Sequence, residues 1–250
     1  MEERNKAVKA RQELGINPYE TIENIENLLF KKANISILKR PLMGEISGLC
    51  SRKEDTMAIL VNSNYSLGRQ FFTIAHEYYH LKYDDNLNEY SREKETKANT
   101  FASYFLMPKE ALEFYLSEKK LSLKKDELSP DDIVNISVYF KLSYSAVLVR
   151  LKNYEKLLSK DKFETYKNLN PLILAKKNGI HTNLYHPTTI TDGFVAKTDY
   201  IMEVKKALEA DKISFGKYES LLLEGGFEDV VYGFETIDEV VKDGKIEDYI

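Results

Sequence analysis

The segment FFTIAHEYYHLKYDD, Phe71–Asp85, is the strongest constraint on how this chain folds. Phe72, Ala75, Tyr79 and Tyr83 recur at helical spacing, which predicts a helix starting near Ser66 with one packed side. The same periodicity sets His76 and His80 one turn apart on a common face, where both imidazoles can grip a single ion. Glu77 stands next to that face.

Neutral imidazoles leave a bound zinc ion a strong Lewis acid, and an adjacent carboxylate such as Glu77 can take a proton from an attacking water. The chain has four histidines, and chance alone places this pattern somewhere in it with a probability on the order of one in a hundred. The bland alternative is a helix surface carrying two satisfied histidines. What separates the readings is a third protein ligand, which a catalytic site needs. It is sought in SREKETKANTFASYFLMP, where a serine and an acidic first turn open a second helix with Glu95, Ala98, Asn99, Ala102 and Leu106 along one face. Ala98 and Ala102 are small enough to let this helix approach the first, so Glu95 is the candidate ligand, and Glu93, off that face, is its nearest rival. Asn99, one turn further on, is placed to fix a histidine tautomer by hydrogen bonding.

FFTIAHEYYH followed by ETKANTFASYFLMP resembles the FT-x-AHE-x-x-H and E-x-x-AN-x-FA-x-x-LMP signature of the ImmA/IrrE family of zinc metallopeptidases. The resemblance extends over roughly residues 15–158 and takes in the segment SPDDIVNISVYFKLSYSAVLVRLKN. It implies a zincin-like core with Zn2+ held by His76, His80 and Glu95, and Glu77 as the catalytic glutamate. It also implies a substrate: a helix-turn-helix repressor, cut at one site to derepress a phage, a mobile genetic element or a stress regulon. The chain departs from the pattern at Tyr78 and Tyr79, where many relatives carry Leu-Gly. Tyr79 adds bulk on the packed side of the helix and removes no chemical group.

Around these motifs the period changes from helix to strand and back. NPYETIENIENLLFKKA predicts an amphipathic helix, and NISILKR, GEISGLCSR and TMAILVNS predict a small three-stranded antiparallel sheet. Further helices are expected at about Arg92–Leu106, Pro108–Glu118, Pro130–Phe140 and Tyr144–Leu158. The expected class is therefore α+β, mostly helical. A peptidase domain is expected over residues 1–155, with a helix-turn-helix-like segment at 130–155, and a helical regulatory or recognition region over 156–250. Within the latter, ALEADKISFGKYESLLLEGG predicts two short helices around a turn, and His181 and His186 are expected to be ordinary loop residues.

Composition excludes little else. A formal net charge of −4 gives no general attraction to nucleic acid, no apolar run approaches the roughly 20 residues of a membrane span, and the N-terminal MEERNKAVKARQELG lacks the apolar core of a signal peptide. With Cys50 as its one cysteine, expected to be a buried strand residue, the chain reads as cytoplasmic. The competing function is a zinc-stabilised, non-proteolytic regulator that binds DNA or a repressor through residues 130–155. Against DNA, Lys141, Arg150 and Lys152 are offset there by Asp131, Asp132 and Glu155, and the second helix opens on SYSAVLV, which has little to contact phosphates. Retention of Glu77 favours the enzyme, because a structural site needs ligands and no base.

Overall fold

The computed structural model describes residues 2–188 except Asp55 and Asn88, the backbone of 195–197, and residues 200–225 together with 227, 231 and 232. The chain opens with a helix that hydrophobic periodicity does not reveal, α1 (Glu2–Glu13), whose buried side chains are Ala7, Ala10 and Arg11. Arg11 is buried by donating to three backbone carbonyls, those of Phe105 (2.7 Å), Asn17 (2.9 Å) and Glu20 (2.5 Å). Burial pushes its guanidinium down to about 10. Helix α2 (Ile25–Ala33) starts where Asn24 caps the Asn27 N–H at 2.8 Å and stops at Asn34, which takes the left-handed conformation (φ 53°).

The expected three antiparallel strands are instead part of a mixed sheet of four, in the order β2-β3-β1-β4. Strand β1 (Ile35–Arg40) runs parallel to β3 (Thr56–Asn62), with Ile37 opposite Ile59. Strand β2 (Gly48–Lys53) forms an antiparallel hairpin with β3, and β4 (Val195–Lys197) adds antiparallel to the other edge of β1. Burial explains the order. Ile35, Ile37, Ile59 and Val61 are almost fully buried, whereas β2, sequence GLCSRK, is largely exposed and so takes an edge. The strand that follows β2 is thereby inserted between it and β1, which no reading of strand alternation predicts.

Helix α3 (Leu67–Tyr83) packs on β2 and β3, and α4 (Arg92–Leu106) packs against both α3 and α1. Ala75, Ala98 and Ala102 are fully buried between these helices. Below them Phe101 stacks on Phe105 at 5.4 Å and touches the rings of Tyr78, Tyr79 and Tyr83. The bulk of Tyr79 is thus absorbed in the core. After α5 (Lys109–Glu118), the helices α6 (Pro130–Tyr139) and α7 (Tyr144–Asn153) meet at 109°. A Ser129/Asp132 capping box starts α6, and α7 stops short of Leu158 because Lys156 adopts a positive φ (60°) while Leu157 and Leu158 turn into the core.

Helices α8 (Lys160–Tyr166) and α9 (Pro171–Lys177) lead to a 3-10 turn, Asn183–Tyr185, that straps the chain back onto the front of the fold. The hydroxyls of Tyr185 and Ser137 meet at 2.5 Å, the Leu67 N–H donates to the His186 carbonyl (2.9 Å), and the Thr188 hydroxyl donates to Gln70 (3.1 Å). The two expected short helices are α10 (Tyr200–Glu209) and α11 (Phe215–Glu224), joined by the Tyr200 hydroxyl donating to the Leu221 carbonyl at 3.0 Å. Among the described residues no single helix is long and apolar enough to cross a membrane.

Because Phe101 sits at the centre of the α3–α4 contact with no exposed surface, Phe101→Ala is expected to destabilise the chain by about 3–5 kcal/mol. Chemical denaturation followed by circular dichroism measures this, and a loss under about 1 kcal/mol would show that the helices are held elsewhere.

Candidate metal centre

Two helices supply the cluster. One turn of α3 separates His76 and His80, whose Nε2 atoms lie 3.0 Å apart, and α4 brings the Glu95 carboxylate to 3.2 Å from His76 Nε2 and 3.5 Å from His80 Nε2. One ligand atom from each of these residues falls within 4.8 Å of the others, which makes this the group of metal-ligating side chains found among the described residues. Glu93, the rival on α4, pairs instead with Lys97 at 2.6 Å.

The outer nitrogens decide what the inner ones can do. His76 Nδ1 meets Asn99 Oδ1 at 3.0 Å, and His80 Nδ1 meets Asp84 Oδ2 at 2.8 Å. Both partners are acceptors, so each imidazole carries its proton on Nδ1 and turns a bare Nε2 lone pair inward. Two lone pairs at 3.0 Å beside a carboxylate repel one another unless a cation lies among them. Two imidazole nitrogens and one carboxylate oxygen form a donor set suited to zinc.

Asp84 is a residue that the sequence reading passed over, although its spacing four after His80 on the same helical face was available as a signal. It follows α3 directly, with its N–H donating to the His80 carbonyl (3.1 Å). Its loop is pinned from β2 by Arg52, which donates to the carbonyls of Leu81 (2.8 Å), Asp84 (2.8 Å) and Asp85 (3.3 Å).

The cluster opens onto a cleft of about 360 Å3 between β2 and the two helices, lined by Ser47, Gly48, Arg69, Phe72, Thr73, His76, Glu77, Glu95 and Asn99. Glu77 is therefore beside the cluster and accessible from the cleft. Gly48 lets β2 come this close: a Cβ there would stand 2.5 Å from Thr73 Cγ2 and 2.8 Å from the Leu60 carbonyl. Cys50, expected to be buried, is half-buried on the same strand. Burial, then the neighbouring Glu77 carboxylate that accepts its hydrogen bond, push the Cys50 thiol up, so that it stays protonated. A larger cavity of about 470 Å3 between α5 and α6 contains no histidine, and its one carboxylate, Asp132, is committed to capping α6. His181 and His186 are exposed and lie outside the cluster.

If Asn99 and Asp84 fix the imidazole tautomers, Asn99→Ala and Asp84→Ala should each weaken zinc affinity by about 10- to 100-fold while leaving the fold intact. Competition titration against a chromophoric chelator reads the affinity, and unchanged affinity in both variants would remove them from the site.

Residues 30–152 match the profile of the IrrE N-terminal-like domain, a peptidase family. A comparison with curated proteins finds no match. Among solved structures, a Mycobacterium tuberculosis transcriptional regulator is similar over 60% of this chain at 17% identity and a TM-score of 0.42, and the match spans about half of that protein, 47%. The family match runs from the end of α2 into α7 and contains the whole His76, His80 and Glu95 cluster, so this part of the chain belongs to the ImmA/IrrE peptidase family.

Proposed function

We propose that the chain is a zinc-dependent endopeptidase that cuts a helix-turn-helix transcriptional repressor at one site and so relieves repression. The observation that carries this reading is the convergence of His76, His80 and Glu95 beside Glu77 in an open cleft. His76, His80 and Glu95 would hold the zinc ion, which when bound polarises the scissile carbonyl and makes water more acidic.

The chain's own groups do the rest. Glu77 accepts the proton of the attacking water and delivers it to the departing amine nitrogen. Asn99 and Asp84 keep both imidazoles in the liganding tautomer. Strand β2 lies at an edge of the sheet and flanks the cleft, so its outer backbone groups can pair with an extended peptide and lay it across the cluster.

The competing reading draws on the 109° crossing of α6 and α7, which falls in the helix-turn-helix range. The surface of α7 answers it. Its exposed residues include Ser145, Val149 and Asn153, all uncharged. Arg150 is fully buried, bonded to Glu155 (2.9 Å) and lying 3.6 Å from the Tyr104 ring, and Lys152 lies over Phe163 at 4.1 Å. A helix with those cations turned inward supports a packing role rather than contact with phosphates. The repressor as substrate follows from the family resemblance, and the regulon it controls would belong to a phage, a mobile element or a stress response.

Co-expression of the wild-type chain or Glu77→Gln with the helix-turn-helix repressor encoded nearest to the gene tests the proposal. Mass spectrometry should find one cut in the repressor with wild type and at least about 100-fold less with Glu77→Gln, both proteins retaining zinc. Equal cleavage by the two would remove Glu77 from the chemistry. An intact repressor under inducing stress, with zinc in both proteins, would move the weight to binding without proteolysis.

A further inference from the structure

Arg69 lies two turns before His76 on α3 and lines the same cleft. Its guanidinium donates to Ser47 Oγ at 2.7 Å and lies 3.6 Å from the centre of the Tyr65 ring, whose hydroxyl donates in turn to the Glu45 carbonyl (3.1 Å). These partners are neutral. They fix the position of the cation without cancelling its charge, and among the described residues no carboxylate forms an ion pair with it.

Position and direction specify what such a group meets. Seven residues of helix separate Arg69 from His76, about 10 Å along the axis, the reach of roughly three residues of extended peptide. Ser47 and Gly48, where β2 begins, meet Arg69 and Thr73, whereas Arg52 near its end meets the carbonyls of Leu81 and Asp84. Strand and helix therefore run the same way. A peptide that pairs antiparallel to β2, continuing the pattern of the β2–β3 hairpin, runs the opposite way, and the residues after its scissile bond head towards Arg69.

We infer that Arg69, presented by Ser47 and Tyr65, is a carboxylate-binding subsite that selects peptides with an anion two or three residues to the C-terminal side of the scissile bond. The inference rests on the peptidase reading of the cleft. A guanidinium fork suits a carboxylate, and that carboxylate has two sources: an Asp or Glu side chain, or the terminal carboxylate of a short peptide.

The test uses the full-length, zinc-loaded chain and a synthetic library of random ten-residue peptides, prepared once as C-terminal acids and once as C-terminal amides. Peptides retained by immobilised Glu77→Gln should be enriched in Asp and Glu, and the enrichment should fall roughly tenfold with Arg69→Gln and reverse towards Lys and Arg with Arg69→Glu. Asp and Glu enrichment in both libraries assigns the side chain as source; Arg69-dependent retention of the acid library without that enrichment, lost in the amide library, assigns the terminal carboxylate. Sequencing the products of the wild-type chain then places the anion relative to the cut, expected at the second or third residue after it. The same peptides retained whatever stands at position 69, or no peptide retained by Glu77→Gln, would overturn the subsite. Acidic selection that depends on Arg69, without any cleavage by wild type, would instead remove the peptidase reading and leave the anion site standing.

Discussion

The architecture depends on the close approach of α3 and α4. Ala75 on one helix and Ala98 and Ala102 on the other are fully buried, and Glu95, from the start of α4, reaches the two histidines of α3. The aromatic cluster around Phe101 lies at the centre of that contact. Larger residues at the alanine positions would push the carboxylate out of range of the imidazoles. Packing at this contact, rather than any propensity of the cluster residues, sets the geometry on which the chemistry depends.

The electrostatics then follow from the outer hydrogen bonds. Asn99 and Asp84 force both imidazole lone pairs inward, towards each other and towards a carboxylate. This is a self-repelling arrangement that a divalent cation relieves, which couples ion binding to the order of the α3–α4 contact and of the loop carrying Asp84. Arg52 connects that loop to β2, so the strand that flanks the cleft is tied to the same unit that orients His80. Cleft wall and cluster are one mechanical piece.

Much of this was legible in the sequence because it was written at helical spacing. The spacing of His76 and His80, the small face of α4 and the placing of Asn99 all follow from one turn of helix, and the structure brings these side chains together. Long-range choices were not legible. The order β2-β3-β1-β4 depends on which strand can tolerate an edge, a comparison among strands that alternation within each does not encode. Helix α1 was missed because it packs through alanines and an arginine that bonds carbonyls, so it carries no apolar stripe. Ser47, Gly48 and Arg69 come together across 22 residues of chain through the sheet, and no local pattern announces that meeting.

The chemistry proposed for the cleft requires that His76, His80 and Glu95 hold one zinc ion beside Glu77. Anomalous X-ray scattering on either side of the zinc absorption edge, from crystals of the zinc-loaded full chain, tests it most directly. One peak per chain is expected, at about 2.0–2.2 Å from His76 Nε2, His80 Nε2 and a Glu95 oxygen, with Glu77 outside ligand distance. A peak coordinated by Glu77 or Asp84 in place of Glu95, or none at saturating zinc, would contradict it.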